Sequence, residues 1–229
     1  MRGVMENIIR NALQNKQHAL SEFDSKLVVA GAGVPVTREV LAGTKEEALA
    51  AAGAIGFPVV MKGCGHTLTH KTEQGMVVVG VGSESEAAQA YDDLTGKGLV
   101  IDGVLVQEMV SGSRELVIGL TRDPQFGPCV MFGLGGIFTE LLHDVSFRVA
   151  PLTVDDAGEM IDEIKTKGVL DEFRGSPAVD REALIQALVG VGELGVRYDE
   201  IAEIDINPLI ISGSKPVAVD ALVILKDTP

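Results

Sequence analysis

Short runs of β-branched and apolar residues, each bounded by glycine, proline or polar turns, alternate along this chain with segments that open on helix-capping pairs. FPVVMK (57–62), GMVVVGV (75–81), VLVQEMV (104–110), ELVIGLT (115–121) and PCVMFGL (128–134) are too short for helices and rich in strand formers. Thr44 with Glu47, Ser83 with Glu86 and Thr153 with Asp156 each set a hydroxyl three residues ahead of an acid. In that capping box each side chain satisfies a backbone N–H of the other's residue at the helix start. Such a chain folds as α+β.

Val4, Ile8, Ile9 and Leu13 recur at helical spacing, and a second helical stretch runs from Ala19 through Val29 until Gly31 and Gly33 stop it. Val34 to Val40 reads as a short strand. The helix opened by Thr44 ends at Gly56, with Pro58 barring its resumption. GMVVVGV, apolar on both faces, has the look of an interior strand, as does FPVVMK. Ser83 caps a helix over 84–95, Thr153 one to about Thr166, and Leu184, Leu188 and Val191 mark a helix over 181–195. EIAEIDINPLII and VAVDALVIL return to strand. The order suggests N-terminal helices (1–24) packed on the second lobe, a first α+β lobe (25–103) and a second lobe (104–229) that begins with a meander of three strands. A cleft between lobes is where ligands preferentially sit.

The formal charge of −14 argues against sequence-independent nucleic-acid binding and against attachment to an anionic membrane. Cys64 and Cys129 are too few for a disulfide framework and do not form a CxxC pair, which fits a reducing compartment. The N-terminal twenty residues lack the apolar centre of a signal peptide, and no apolar run reaches membrane-spanning length. The expectation is a cytoplasmic protein.

Three constellations carry chemistry. MKGCGHTLTHKTEQG (61–75) holds Lys62, Cys64, His66, His70 and Lys71. Cys64, His66 and His70 suit zinc by residue type, but a fourth ligand would have to come from elsewhere. Lys62 ends an apolar run, so its ammonium could be delivered at a strand tip into a cleft; a lysine there is also commonly a plain surface charge. Gly133-Leu134-Gly135-Gly136 offers backbone N–H groups without side chains to obstruct phosphate oxygens, and Arg148 follows a strand-like approach. It is not a Rossmann fingerprint, and no GxxxxGK[ST] loop occurs anywhere. In EIDINP, Glu203, Asp205 and Asn207 alternate on one strand face, with Asp220 in the next strand. Oxygen ligands on adjacent strands are a usual way to hold Mg²⁺, and a solvated strand face would look the same. Asn207 precedes Pro208, which keeps it extended.

With these residues in order, the chain resembles the ATP-grasp subunit of ADP-forming acyl-CoA synthetases (acetate:CoA ligases), relatives of the succinyl-CoA synthetase β subunit. The resemblance rests on ALSEFDSKLVVAGAGVPVT, GFPVVMK, THKTEQGMVVVGV, VLVQEMV, RELVIGLTRDPQFGPCVMFGLGGIFTELLHDVSFRVAPL, and IDINPLI followed by VAVDA, and it spans about residues 20 to 224. It implies an ATP-grasp fold with ATP or ADP held between two α+β lobes. By resemblance, Lys62 contacts nucleotide phosphates, Gln107, Glu108, Met109 and Val110 form a hinge against adenine, and Glu115 takes the ribose hydroxyls. Asn207 and Asp220 match Mg²⁺ ligands, His70 matches the histidine that relays phosphate to ADP, and Arg148 with the Gly133, Gly135 and Gly136 turn matches groups near the phosphoryl path.

The implied reaction is acyl-CoA + ADP + phosphate ⇌ acid + CoA + ATP. The family's remaining parts, a CoA-binding domain and a first phosphohistidine domain, do not fit in 229 residues. The resemblance therefore implies an α subunit as partner in a hetero-oligomer. The same residues also admit two other activities: a self-contained ATP-grasp carboxylate ligase, and a non-catalytic nucleotide-binding regulatory subunit. The chain departs from many relatives at Gly75-Met76, where they carry paired glycines, and in having His66 as well as His70.

Overall fold

The computed structural model describes residues 2–68, 71, 74–136, 144–172 and 175–226. They form two compact units, and the chain passes between them four times.

The smaller unit comprises Ala19–Phe23 and Thr37–Met109. Its sheet contains β1 (Glu39–Ala42), β2 (Val59–Cys64), β3 (Val77–Val81) and β4 (Gly103–Glu108), antiparallel throughout, in the order β1-β4-β2-β3. Two helices, α3 (Lys45–Ile55) and α4 (Glu84–Thr95), start where their caps predict: the Thr44 hydroxyl accepts from Glu47 N and the Ser83 hydroxyl from Glu86 N. Ala48, Ala51, Ala52, Ala87, Ala90 and Leu94 bury their inner faces against Val59, Met61, Val104 and Val106. Side chains alternate across a strand, so Val60, Lys62, Leu105 and Gln107 occupy the opposite face.

The larger unit holds α1 (Arg2–Gln14), α2 (Glu22–Gly31) from Asp24 on, and everything from Val110 onward. Its six-stranded sheet runs β10 (Leu222–Leu225), β8 (Ile201–Ser212), β5 (Glu115–Asp123), β6 (Gly127–Leu134), β7 (Val145–Val149), with β9 (Lys215–Ala218) paired beside β10 along β8. One face is covered by α5 (Val154–Glu163) and α6 (Arg181–Arg197). Gly192 and Gly195 of α6 lie against Val130 and Leu120, and Ser146 Oγ donates to Met160 O of α5 at 2.9 Å. At Gly190 the helix touches α2's end so closely that a Cβ would sit 1.8 Å from Ala32 O.

Four expectations change. β4 belongs to the first sheet, where it is central, so the smaller unit extends to Met109, and the meander of the larger unit is β5-β6-β7. Residues 25–36 join the larger unit and 19–23 the smaller, which moves both expected boundaries. The strand expected over 34–40 starts at Glu39, with Val36 making only an isolated bridge to Ala218. β3 is an edge strand with Val79 64% exposed, because β4 takes the inner position beside β2. None of the described helices is long and apolar enough to cross a membrane.

Candidate functional site

The candidate residues are divided between the two units. In the smaller unit Lys62 is not at a strand tip. It is the fourth residue of β2, registered against Val77 on one side and Leu105 on the other, with its side chain only 6% exposed. Its Nζ donates to Glu22 Oε1 at 2.6 Å, and Lys71 pairs with Glu22's other oxygen. Sequence reading missed this arrangement, since Glu22 lies forty residues from Lys62 and carries no local signal of its own.

Glu108 ends β4. Its carboxylate accepts from Arg38 N and Nε, both at 2.8 Å, and its N–H donates to Arg38 O. Gln107 is buried and Met109 is 42% exposed, the last residue before Val110 opens the larger unit. His70 lies outside the described residues. Of the zinc candidates, Cys64 and His66 are described and His70 is not. Burial pushes the Cys64 thiol up to about 11, and His66 Nδ1 faces Asp102 at 3.8 Å. No cluster of three or more His, Cys, Asp or Glu able to hold a metal occurs among the described residues.

In the larger unit the sheet register sorts the candidates by face. Ile204, Leu120, Val130 and Arg148 stand opposite one another across β8, β5, β6 and β7, and this row faces the helices. The next row, Asp205, Gly119, Met131 and Phe147, faces away from them, and Phe147 is 52% exposed. Arg148 therefore does not join the acidic residues. It donates to Glu163 at 2.9 Å through Nη1 and to Glu159 at 3.3 Å through Nη2, both on α5, and these pairings raise its pKa further.

The glycine turn also differs from the phosphate cradle expected. Gly133 is paired within the sheet against Val117 and Val145, and the Gly135 N–H donates to Glu115 O at 2.7 Å. Gly136 has φ +69°, and a Cβ there would meet Glu115 Oε2 at 2.9 Å. These glycines make room for β5 and for the Glu115 carboxylate.

Asn207 and Asp220 fall opposite one another by backbone register. Leu222 registers with Asp205, and Ala218 with Leu209, so one unbroken register sets Asp220 opposite Asn207 in the gap between β10 and β9. Val219 N donating to Pro208 O at 3.1 Å holds that register. Facing side chains on adjacent strands are about 5 Å apart at Cβ, within reach of one ion. Partial desolvation together with the charges of Asp220 and Glu203 pushes the Asp205 carboxyl up to about 6. Asp205 remains open to solvent, so the like charges are the cause with the firmer physical footing. An amide oxygen and a carboxylate within a negative field fit Mg²⁺, which binds one or two carboxylates and completes its shell with water and phosphate oxygens.

A family model for the ATP-grasp domain matches residues 11–225. The chain belongs to the ATP-grasp family. This ATP-grasp chain is 44% identical over 212 residues to the ADP-forming acetate–CoA ligase I subunit beta of Pyrococcus furiosus, covering 90% of the chain and 91% of that subunit. It is 38% identical over 204 residues to the ADP-forming acetate–CoA ligase I of Archaeoglobus fulgidus, covering 86% of this chain but only 30% of that longer protein. Among solved structures it resembles dinucleotide-forming acetyl-coenzyme A synthetase 1 of Candidatus Korarchaeum cryptofilum with a TM-score of 0.86 at 44% identity. That match covers 97% of this chain and 100% of the other, which is described with coenzyme A and Mg-AMPPCP and with its phosphohistidine segment pointing towards the nucleotide binding site.

Proposed function

We propose that this ATP-grasp chain is the nucleotide-binding subunit of an ADP-forming acyl-CoA synthetase, moving a phosphoryl group between a phosphohistidine and Mg-ADP. The observation that carries the reading is the near end-to-end likeness to a separate beta subunit of an ADP-forming acetate–CoA ligase. The match to less than a third of a longer ligase supports an α partner that supplies CoA binding and the first phosphohistidine.

In this reading Asn207 and Asp220 hold Mg²⁺, whose charge neutralises phosphate oxygens, and Asp205 and Glu203 deepen the negative field around it. Lys62 meets the phosphates, Glu115 the ribose hydroxyls, and the backbone of Glu108, Met109 and Val110 the adenine. Gly136 gives the Glu115 carboxylate its space. His70 is the relay, because a neutral imidazole is nucleophilic near neutral pH and its phosphorylated form retains a high transfer potential. Arg148 takes no part in the transfer, since it faces α5.

Incubation of the chain with Mg²⁺ and γ-labelled ATP tests the relay. The expected result is an acid-labile, base-stable label that disappears in His70→Ala and persists in His66→Ala. Label retained in His70→Ala would remove His70 from the role. Turnover of acyl-CoA, ADP and phosphate by the purified chain without any partner would refute the two-subunit assignment.

A further inference from the structure

Lys62 and Lys71 are joined by one carboxylate. Glu22 is 2% exposed at its side chain, and its two oxygens divide between a lysine in the middle of β2 and one in the segment that connects β2 to β3. A buried ion pair is weak evidence for stability, because removing both charges from water offsets most of their attraction, and apolar residues would fill the same space at less cost. What such a pair does supply is position. A lysine carries four rotatable methylenes and loses considerable rotamer freedom when its ammonium is fixed. The fold has already fixed it here, on the face of the small sheet opposite α3 and α4, through a contact 2.6 Å long.

We propose that Glu22 is a positioning residue for phosphate recognition: it holds the Lys62 ammonium where the phosphoryl oxygens of a nucleoside di- or triphosphate are bound. This rests on the reading of Lys62 as a phosphate contact. Glu22 touches no nucleotide in this scheme and acts entirely through Lys62. Lys71, on the second oxygen, fixes the carboxylate's orientation so that Oε1 points at Lys62. Cys64, two residues along β2, lies in the electrostatic field of Glu22 and Lys71 and stays a neutral thiol.

The test is a double-mutant cycle on the full chain, read as Mg-ADP affinity by calorimetry in the parent, E22Q, K62M and E22Q/K62M. If Glu22 acts through Lys62, E22Q weakens binding about tenfold in the parent background and by less than about twofold in the K62M background. A purely structural Glu22 gives the same loss in both backgrounds, and that result overturns the proposal while leaving the nucleotide site standing. Absence of Mg-ADP binding in the folded parent overturns the nucleotide reading and this proposal with it. Should E22Q fail to fold, E22D completes the same cycle. It keeps the charge but is one methylene shorter, and it is expected to weaken binding only where Lys62 is present; equal losses with and without Lys62 overturn the proposal.

Discussion

Asn207 and Asp220 stand opposite one another on neighbouring segments of a single register that continues through the break between β9 and β10. Pro208 has no N–H to donate, so regular pairing lapses there, and the two residues stand opposite each other where the ladder is interrupted. Asp205 lies on the same face two residues before Asn207, with a carboxyl raised to about 6 by partial desolvation and the charges of Asp220 and Glu203.

A pH dependence follows from Asp205. Its folded pKa exceeds the ordinary value of 3.8, so its effect on stability is harmless below that value and becomes unfavourable as pH rises through about 6. Without Mg²⁺, Asp205→Asn should melt above the parent at pH 7.5 and coincide with it near pH 4. Mg²⁺ affinity should fall in the parent between pH 7.5 and 5.5 and change less in Asp205→Asn. Thermal melts at pH 7.5 and 4 and Mg²⁺ titrations at pH 7.5 and 5.5 measure the two effects; identical pH profiles would detach Asp205 from the ion.

Arg148 is two strands away from β5 and on the helix side of the sheet. Removing a cation that stabilises a phosphoryl transition state lowers turnover by about 100-fold or more. Arg148→Met should instead change phosphoryl transfer by less than about threefold, while lowering the melting temperature slightly through lost contacts to Glu159 and Glu163. Activity measured beside a thermal melt separates the two outcomes, and a large loss of turnover with unchanged stability would return Arg148 to the site.

Gly190 lets α6 touch the backbone of Ala32. Alanine gains less than about 1 kcal/mol in helix propensity over glycine, but here its methyl would overlap a carbonyl oxygen that cannot rotate away. Gly190→Ala should destabilise the larger unit by about 2 kcal/mol or more, read from urea or thermal unfolding. Neutral or raised stability would mean that α2 and α6 can part freely.

The two cysteines should differ in reactivity. Cys64 is 1% exposed with its thiol pushed up to about 11, whereas Cys129 is only partly buried. Alkylation of the folded chain at pH 8 should label Cys129 and spare Cys64 until denaturant is added, as mass spectrometry of the peptides will show. Rapid modification of Cys64 in the native state would contradict its burial.

What the sequence disclosed was local chemistry. The caps at Thr44, Ser83 and Thr153 are read from residues three positions apart, and β8 from its alternating side chains; the boxes at Thr44 and Thr153 close in both directions, whereas at Ser83 only the hydroxyl's half forms and Glu86 accepts from Gly82 N. Strand alternation singled out Glu203, Asp205 and Asn207, with Asp220 in the next segment, and the resemblance picked Asn207 and Asp220 from among them. Strand order was hidden, because VLVQEMV has the same apolar pattern whether it pairs with β2 or with β5. The Glu22 bridge was hidden for the same reason: a contact across forty residues leaves no periodic trace. Arg148 was misplaced because strand-face assignment needs the register, and the glycine run because sequence shows where side chains are absent but not what occupies the space.

The order β1-β4-β2-β3 puts the last strand of the small sheet to be synthesised at its centre. Until residues 103–108 leave the ribosome, β1 has no partner at all and one side of β2 is bare. The nascent small unit thus cannot close its sheet strand by strand; it must wait for an insertion that pairs residue 39 with residue 107 and residue 60 with the same position. Long-range closures of this kind slow folding and leave open strand edges exposed meanwhile. Chains released before Glu108 are therefore candidates for aggregation, whereas those released just beyond it hold every strand of that sheet.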